Sequence, residues 1–342
     1  MLQSGPALLV DGEHLPVAGK PSRLNYLRDG RLLYTEKVVG GQRLVCNGDP
    51  GPTFMRLAGL ATAGSHYGVF GKSDKGMTLL INGEEIGQWK DAGDLVMDAS
   101  GNYAFCAFVD NKPGVDAKLT GKEVLFLNGE PIAFGESVRS PALGPNAVVA
   151  HLEAGSEWKV WKAGELVGQH ERALAPRFSA DGSRLAWPAR TEGRWGLCID
   201  GEIHGEHDEV TAFAVSATGY AYAAREGTEC FVVSDSGRQG PFTRVSTIQV
   251  TSNGGFVFVA STNKGKFVSL NGALLGPFER VGRVGQLGDV VGFRAGPLGA
   301  ERLYRGVTPS ERSFEVLSNP VWAAGSLVAF GLADGEVHRI AL

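Results

Sequence analysis

The 342 residues carry 33 basic and 37 acidic side chains, a formal net charge of −4. With no basic stripe and no acidic block, that charge argues against a nucleic-acid surface and a disordered charged tail, and no apolar run approaches the ~20 residues of a membrane-spanning helix. Apolar residues make up 43% of the chain, enough for a substantial core, and the 49 glycines are about twice the usual share of roughly 7%, which points to an all-β chain rich in turns.

The chain opens with MLQSGPALLVDGEH, which lacks a basic region and meets Asp11 early. It does not read as a secretory leader, so a cytoplasmic location is expected. From there one unit recurs: four short apolar runs separated by turns, an antiparallel meander whose strands are here named first to fourth. The turn between the third and fourth strands ends at Gly12, Gly48, Gly83, Gly129, Gly164, Gly201, Ser236, Gly272 and Gly306, spaced 34 to 37 residues apart with one exception of 46. Asn-Gly or Asp-Gly fills most of these turns, the strongest short signal for a hairpin. The turn between the first and second strands recurs as often, at Asp29-Gly30, Gly64-Ser65, Ser100-Gly101, Pro145-Asn146, Asp181-Gly182, Thr218-Gly219, Asn253-Gly254, Gly288-Asp289 and Ala324-Gly325. Gly51-Pro52, Gly240-Pro241 and Gly276-Pro277 open fourth strands, where proline suits an edge that needs no N–H.

A single meander cannot bury both faces, and stacking four-stranded sheets around an axis solves this. The expected fold is therefore one all-β domain over residues 1–342, a β-propeller of four-stranded blades. The markers predict nine blades. Eight is the alternative, with residues 282–317 partly degenerate. Residues 321–342 supply three strands, and residues 5–17 are expected to complete that last blade and close the ring.

The sharpest repeat, FSADGSRLAWPA from Phe178, resembles the F-S-x-D-G pattern of the WD40-like (PD40, TolB-type) bacterial propeller repeats. Diluted forms occur at Leu95, Phe213 and Ile248. The Trp-Asp dipeptide of true WD40 blades is absent. The resemblance implies the fold and little about activity; neither the extra N-terminal domain of TolB nor the hydrolase domain of prolyl-oligopeptidase-like peptidases is expected.

The 46-residue spacing marks an insertion between second and third strands, residues 110–122. Insertions in repeat proteins map to one face, often the binding face. Asp110, Lys112, Asp116, Lys118 and Lys122 are therefore the candidate binding residues, joined by Trp158 and Trp195 at the starts of third strands, where an indole can stack on a sugar or peptide. Set against this, a solvated insertion and indoles packed between blades need no ligand. His204 and His207 resemble a metal pair, but three-residue spacing in a regular strand sends the rings to opposite faces, so a polar surface strand is expected. The first strands offer mainly Asp94 and Asp98. Cys46, Cys106, Cys198 and Cys230 each lie in an apolar run and read as buried, reduced thiols. No nucleophile elbow, HExxH, P-loop or EF-hand occurs, and neither a catalytic residue, a metal nor a cofactor is assigned.

The reading that follows is a non-enzymatic scaffold, a monomer that binds a protein or peptide partner. The alternative is a propeller that binds a small molecule or glycan, or acts as hydrolase or lyase, at the mouth of its central channel.

Overall fold

The structure, a computed structural model, describes residues 7–10, 13–110, 116, 118–145, 147–251, 254–287, 290–323 and 326–341. These residues form strands and turns; none lies in a helix long and apolar enough to cross a membrane. The chain divides into two compact units, residues 1–177 and 178–342.

The first unit begins with a hairpin, Ala7–Val10 against Glu13–Pro16. Four four-stranded antiparallel meanders follow, over residues 20–50, 56–89, 91–135 and 137–170, each with its strands in sequence order. The second unit holds the second to fourth strands of a fifth repeat over residues 185–207, then two complete meanders over residues 209–242 and 244–278. Its eighth repeat has a first strand in two pieces, Arg280–Val281 and Gly285–Leu287. A last sheet comes from Val316–Leu317, Val321–Ala323, Ser326–Ala333 and Glu336–Ala341.

The expected hairpin turns form where the sequence marks them. Asn82 and Gly83 take φ of 51° and 90°, Asn128 and Gly129 51° and 86°, and Asp200 and Gly201 52° and 95°. Two successive left-handed residues match the twist of the strands they join. The side chain does more than tolerate the turn. Asn82 Oδ1 accepts the Tyr67 N–H at 3.0 Å, Asn128 Oδ1 the Tyr103 N–H at 2.9 Å, and Asp200 Oδ1 the Leu185 N–H at 2.8 Å. Each turn thus pins the start of its own second strand.

Second strands, and the third strands of the second, third and fifth repeats, are largely buried on both faces, which is why they read as continuous apolar runs. Among the described residues a large cluster lies between the second and third repeats. There the Phe105 ring stacks on Phe126 at 4.9 Å and meets Phe70 and Trp89 edge-on at 5.8 and 4.8 Å. Fourth strands are largely exposed. Four-stranded sheets packed face to face in this way are propeller-type blades.

One departure recurs and positions the site. The first strands of repeats one to four each carry one extra residue opposite the second strand, breaking register at Ser22/Asn25, Ala58/Ala61, Gly93/Val96 and Arg139/Ala142. Within each bulge one residue is left-handed: Arg23, Gly59, Asp94 and Ser140, with φ between 52° and 59°. Bulges re-aim side chains and gather next to functional sites.

Candidate functional site

Asp94 and Ser140 occupy equivalent bulges of successive first strands, and a non-glycine residue in this conformation is held there by its surroundings. Asp94 Oδ2 accepts the backbone N–H of Ser140 at 3.0 Å, a bond from one repeat to the next. Beside them opens a cleft of about 480 Å³, lined by residues 94–97, 140–143 and 175–177. Three consecutive first-strand segments thus build its wall. Its charged groups are Asp94 and Arg177, both exposed.

A smaller pocket of about 210 Å³ shares Asp94 and adds Asp91, Cys106, Glu123 and Arg139. Glu123 Oε1 pairs with Arg139 Nη2 at 2.8 Å, and Glu123 Oε2 accepts the Val138 N–H at 2.8 Å. Glu123 is therefore spent on holding its neighbour repeat. The Cys106 thiol is pushed far up by burial first and by the Asp94 carboxylate next, so it stays protonated and is no nucleophile. The cleft's lining holds one hydroxyl, that of Ser140, and no histidine. With one carboxylate and one guanidinium in its wall, the cleft can receive both a donor and an acceptor group. Asp98, which follows the same strand as Asp94, is occupied in its turn, accepting the N–H groups of Ser100 and Asn102 at 2.9 and 3.0 Å.

The residues expected from sequence lie elsewhere. Asp110 sits 3.9 Å from Lys90 Nζ. Asp116 accepts the Lys118 N–H at 2.9 Å inside its own turn. The Lys122 ammonium lies over the Phe134 ring at 4.8 Å. Lys112 falls outside the described residues. Trp158 is half-buried, edge-on to His151 at 5.7 Å, and Trp195 packs against the buried cluster of Leu197, Val210 and Tyr222.

Two sequence expectations are corrected. His204 and His207 do not face opposite ways, because the fourth strand bulges at Gly205, left-handed at φ 78°. The extra residue restores parity, and both rings meet the next repeat: His204 on Tyr220 at 5.0 Å, His207 on Tyr222 at 5.6 Å. His207 Nδ1 lies 3.0 Å from Glu226 Oε1 and Nε2 lies 3.1 Å from the Tyr222 hydroxyl, so His207 is built into the repeat junction. Among the described residues no group of three or more His, Cys, Asp or Glu is placed to hold a metal ion. The cysteines also divide. Cys106 and Cys198 are buried as expected, but Cys46 and Cys230 are partly exposed.

The sequence reading missed Ser140 and Arg177. A signal for the first was present: Pro141 interrupts an otherwise regular strand, and proline within a strand marks a bulge or edge.

No family model and no curated protein matches the sequence. Solved structures do. A prolyl endopeptidase aligns at 11% identity over 94% of this chain and 49% of its own, with a TM-score of 0.45. An acylaminoacyl peptidase aligns at 11% identity over 82% of this chain and 58% of its own, TM-score 0.42. The Dos1 propeller aligns at 10% identity over 94% and 92%, TM-score 0.41. The chain spans about half the length of the two peptidases. The further matches include a puromycin hydrolase and a prolyl oligopeptidase. The expectation of a non-enzymatic scaffold is corrected to this extent: the aligned structures include peptidases and a puromycin hydrolase, and at these identities the likeness is one of fold alone.

Proposed function

We propose that the chain seats a small polar substrate of a hydrolytic reaction in the cleft formed by residues 94–97, 140–143 and 175–177. Asp94 meets a donor or cationic group of that substrate and Arg177 an anionic one. The observation that supports this reading is the cleft itself: about 480 Å³, walled by three consecutive first-strand segments, with two of its polar groups on left-handed bulge residues. A concave site with a few placed polar groups is the usual form of a small-ligand site. Short peptides and small oligosaccharides are the substrate classes whose size and mixed polarity suit it.

The test is a screen of short peptides and oligosaccharides by ligand-observed NMR, with products followed by mass spectrometry. A ligand whose affinity falls about tenfold in both Asp94→Asn and Arg177→Gln supports the reading, since each variant removes one charge contact of ~1.4 kcal/mol. A ligand that binds both variants as tightly as the parent, or the absence of any ligand across the screen, overturns it.

The finer fold reading is also a proposal: nine blades in one closed domain, with residues 5–17 completing the last blade. It rests on the nine-fold recurrence of the turn markers. Electron microscopy of the intact chain that resolves nine radial sheets supports it, and eight sheets or an open array overturns it.

A further inference from the structure

Between the sixth and seventh repeats, within the second unit, lies a cavity of about 210 Å³ that shares no residue with the cleft. Its rim is polar: Asp235, Ser236 and Gln239 from the sixth repeat and Asn271 from the seventh. Its floor is apolar and includes Phe256 and the buried Phe258. Among the described residues no arginine, lysine or histidine lines it.

The chain departs from its own repeat at this point. The turn between third and fourth strands ends in glycine at eight of its nine occurrences and in Ser236 at the ninth. At Asn82, Asn128 and Asp200 the side chain of that turn is spent on the N–H of its own second strand. In the sixth repeat the left-handed residue falls instead on Gly237, at φ 127°, and Asp235 lines the cavity. The Ser234 hydroxyl donates to the Gly237 carbonyl at 3.2 Å and lies 3.1 Å from Ser236 Oγ, which orders the hydroxyls of this turn. Bare backbone admits the rim: a Cβ on Gly219 would stand 2.5 Å from Asp235 Oδ2, and one on Gly255 would collide with Asn271 Oδ1.

Two polar groups here are left over. Gln239 Oε1 is buried and has no hydrogen-bond partner among the described residues. Ser269 is fully buried and its hydroxyl is unpartnered in the same way. It stands opposite Phe258 in the sheet, and so on the same face. Buried polar groups are nearly always paired, so two orphans at one cavity point to a ligand that pairs with them. Gln239 Oε1 and the Asp235 carboxylate accept hydrogen bonds; Ser236, Ser269 and Asn271 both donate and accept. Ligand hydroxyls answer both kinds, and the apolar face of a sugar ring packs on an aromatic floor. An anion would meet Asp235 with no cation beside it. The volume falls below the ~300–1,000 Å³ of sites for drug-sized ligands, which limits the occupant to one ring. We propose that this cavity binds a single neutral monosaccharide unit, either free or at the end of a glycan.

The test is ligand-observed NMR of the intact protein with glucose, galactose, mannose and N-acetylglucosamine, each free and as its methyl glycoside. At least one is expected to bind, and to lose about tenfold in affinity in each of Asp235→Asn and Gln239→Leu. Gln239→Leu removes an acceptor that is unpaired in the free protein. Its thermal unfolding is therefore expected at or above the parent's, which separates lost binding from a lost fold. Asp94→Asn and Arg177→Gln, in the cleft, are expected to leave the affinity unchanged. Equal affinity for a sugar and its glycoside identifies the end of a glycan, and binding of the free sugar alone identifies a free ligand. Binding of none of these sugars, an affinity unchanged in Asp235→Asn or in Gln239→Leu, or one lowered only by the cleft variants, overturns the proposal.

Discussion

Asp94 and Ser140 stand at equivalent bulges of neighbouring repeats, both left-handed, and the carboxylate of one accepts the backbone N–H of the other at 3.0 Å. The bond ties two first strands together at the edge of the cleft. It also gives the bulge a reason to hold a conformation that most side chains avoid.

Substitution at Asp94 separates these roles. Asparagine tolerates the left-handed region and keeps an acceptor oxygen, so Asp94→Asn is expected to lose under about 1 kcal/mol. Asp94→Val loses the acceptor and puts a β-branched side chain at positive φ, for an expected loss of about 2–3 kcal/mol. Urea unfolding of the two variants beside the parent measures the difference. Equal losses would show that neither the bond nor the backbone conformation matters there.

Acid weakens the first unit through His151. The ring is 2% exposed, its Nε2 has no hydrogen-bond partner, and burial, the foremost cause, lowers its pKa from 6.5 to about 4. Below pH 6.5 the unfolded chain binds a proton that the folded chain refuses until about pH 4. Stability is therefore full above 6.5 and falls as pH drops through this window, by about 3 kcal/mol in all. His170, also lowered by burial, adds a loss of the same sign. Unfolding free energies at pH 7 and pH 4.5 should differ markedly in the parent and less in His151→Leu.

Glu36 is a buried anchor. Its side chain is 2% exposed, pairs with Arg43 at 2.6 Å through Oε1, and accepts the Ala18 and Gly19 N–H groups at 3.1 and 3.2 Å through Oε2. Glu36→Ala strands a cation and two backbone donors, for an expected loss of about 3–5 kcal/mol. Glu36→Gln keeps an acceptor and should lose less. Thermal unfolding ranks them, and a Glu36→Ala protein as stable as the parent would refute the anchor.

Gly205 is irreplaceable on two counts. At φ 78° a side chain is strained, and a Cβ would stand 2.3 Å from the Tyr222 hydroxyl and 2.5 Å from His207 Nε2. Gly205→Ala is expected to destabilise the second unit by more than about 2 kcal/mol. By contrast Gly201→Ala, where nothing lies within 4 Å, suffers only the backbone term, about 1 kcal/mol. Chemical denaturation that found the two alike would contradict the steric argument.

The sequence by itself determined the repeat: where strands begin and end, which turns join them, and which strands lie buried on both faces. Those features are local. An Asn-Gly pair carries its own backbone preference, and a doubly buried strand announces itself as an unbroken apolar run such as YAFCAF from Tyr103. Asp94 was visible too, as a carboxylate on a first strand.

Only the tertiary structure decided which of these residues meet. The cleft joins segments more than thirty residues apart in sequence, at residues 94–97, 140–143 and 175–177, and no local pattern records that adjacency. A bulge of one residue reverses the facing of everything after it. That is why His204 and His207 turn to the same neighbour, and why Asp94 and Ser140 come to share a hydrogen bond. Cys46 and Cys230, alike in their apolar runs, differ in what approaches the sulfur, a guanidinium in one case and a carbonyl in the other, each from a connection between strands.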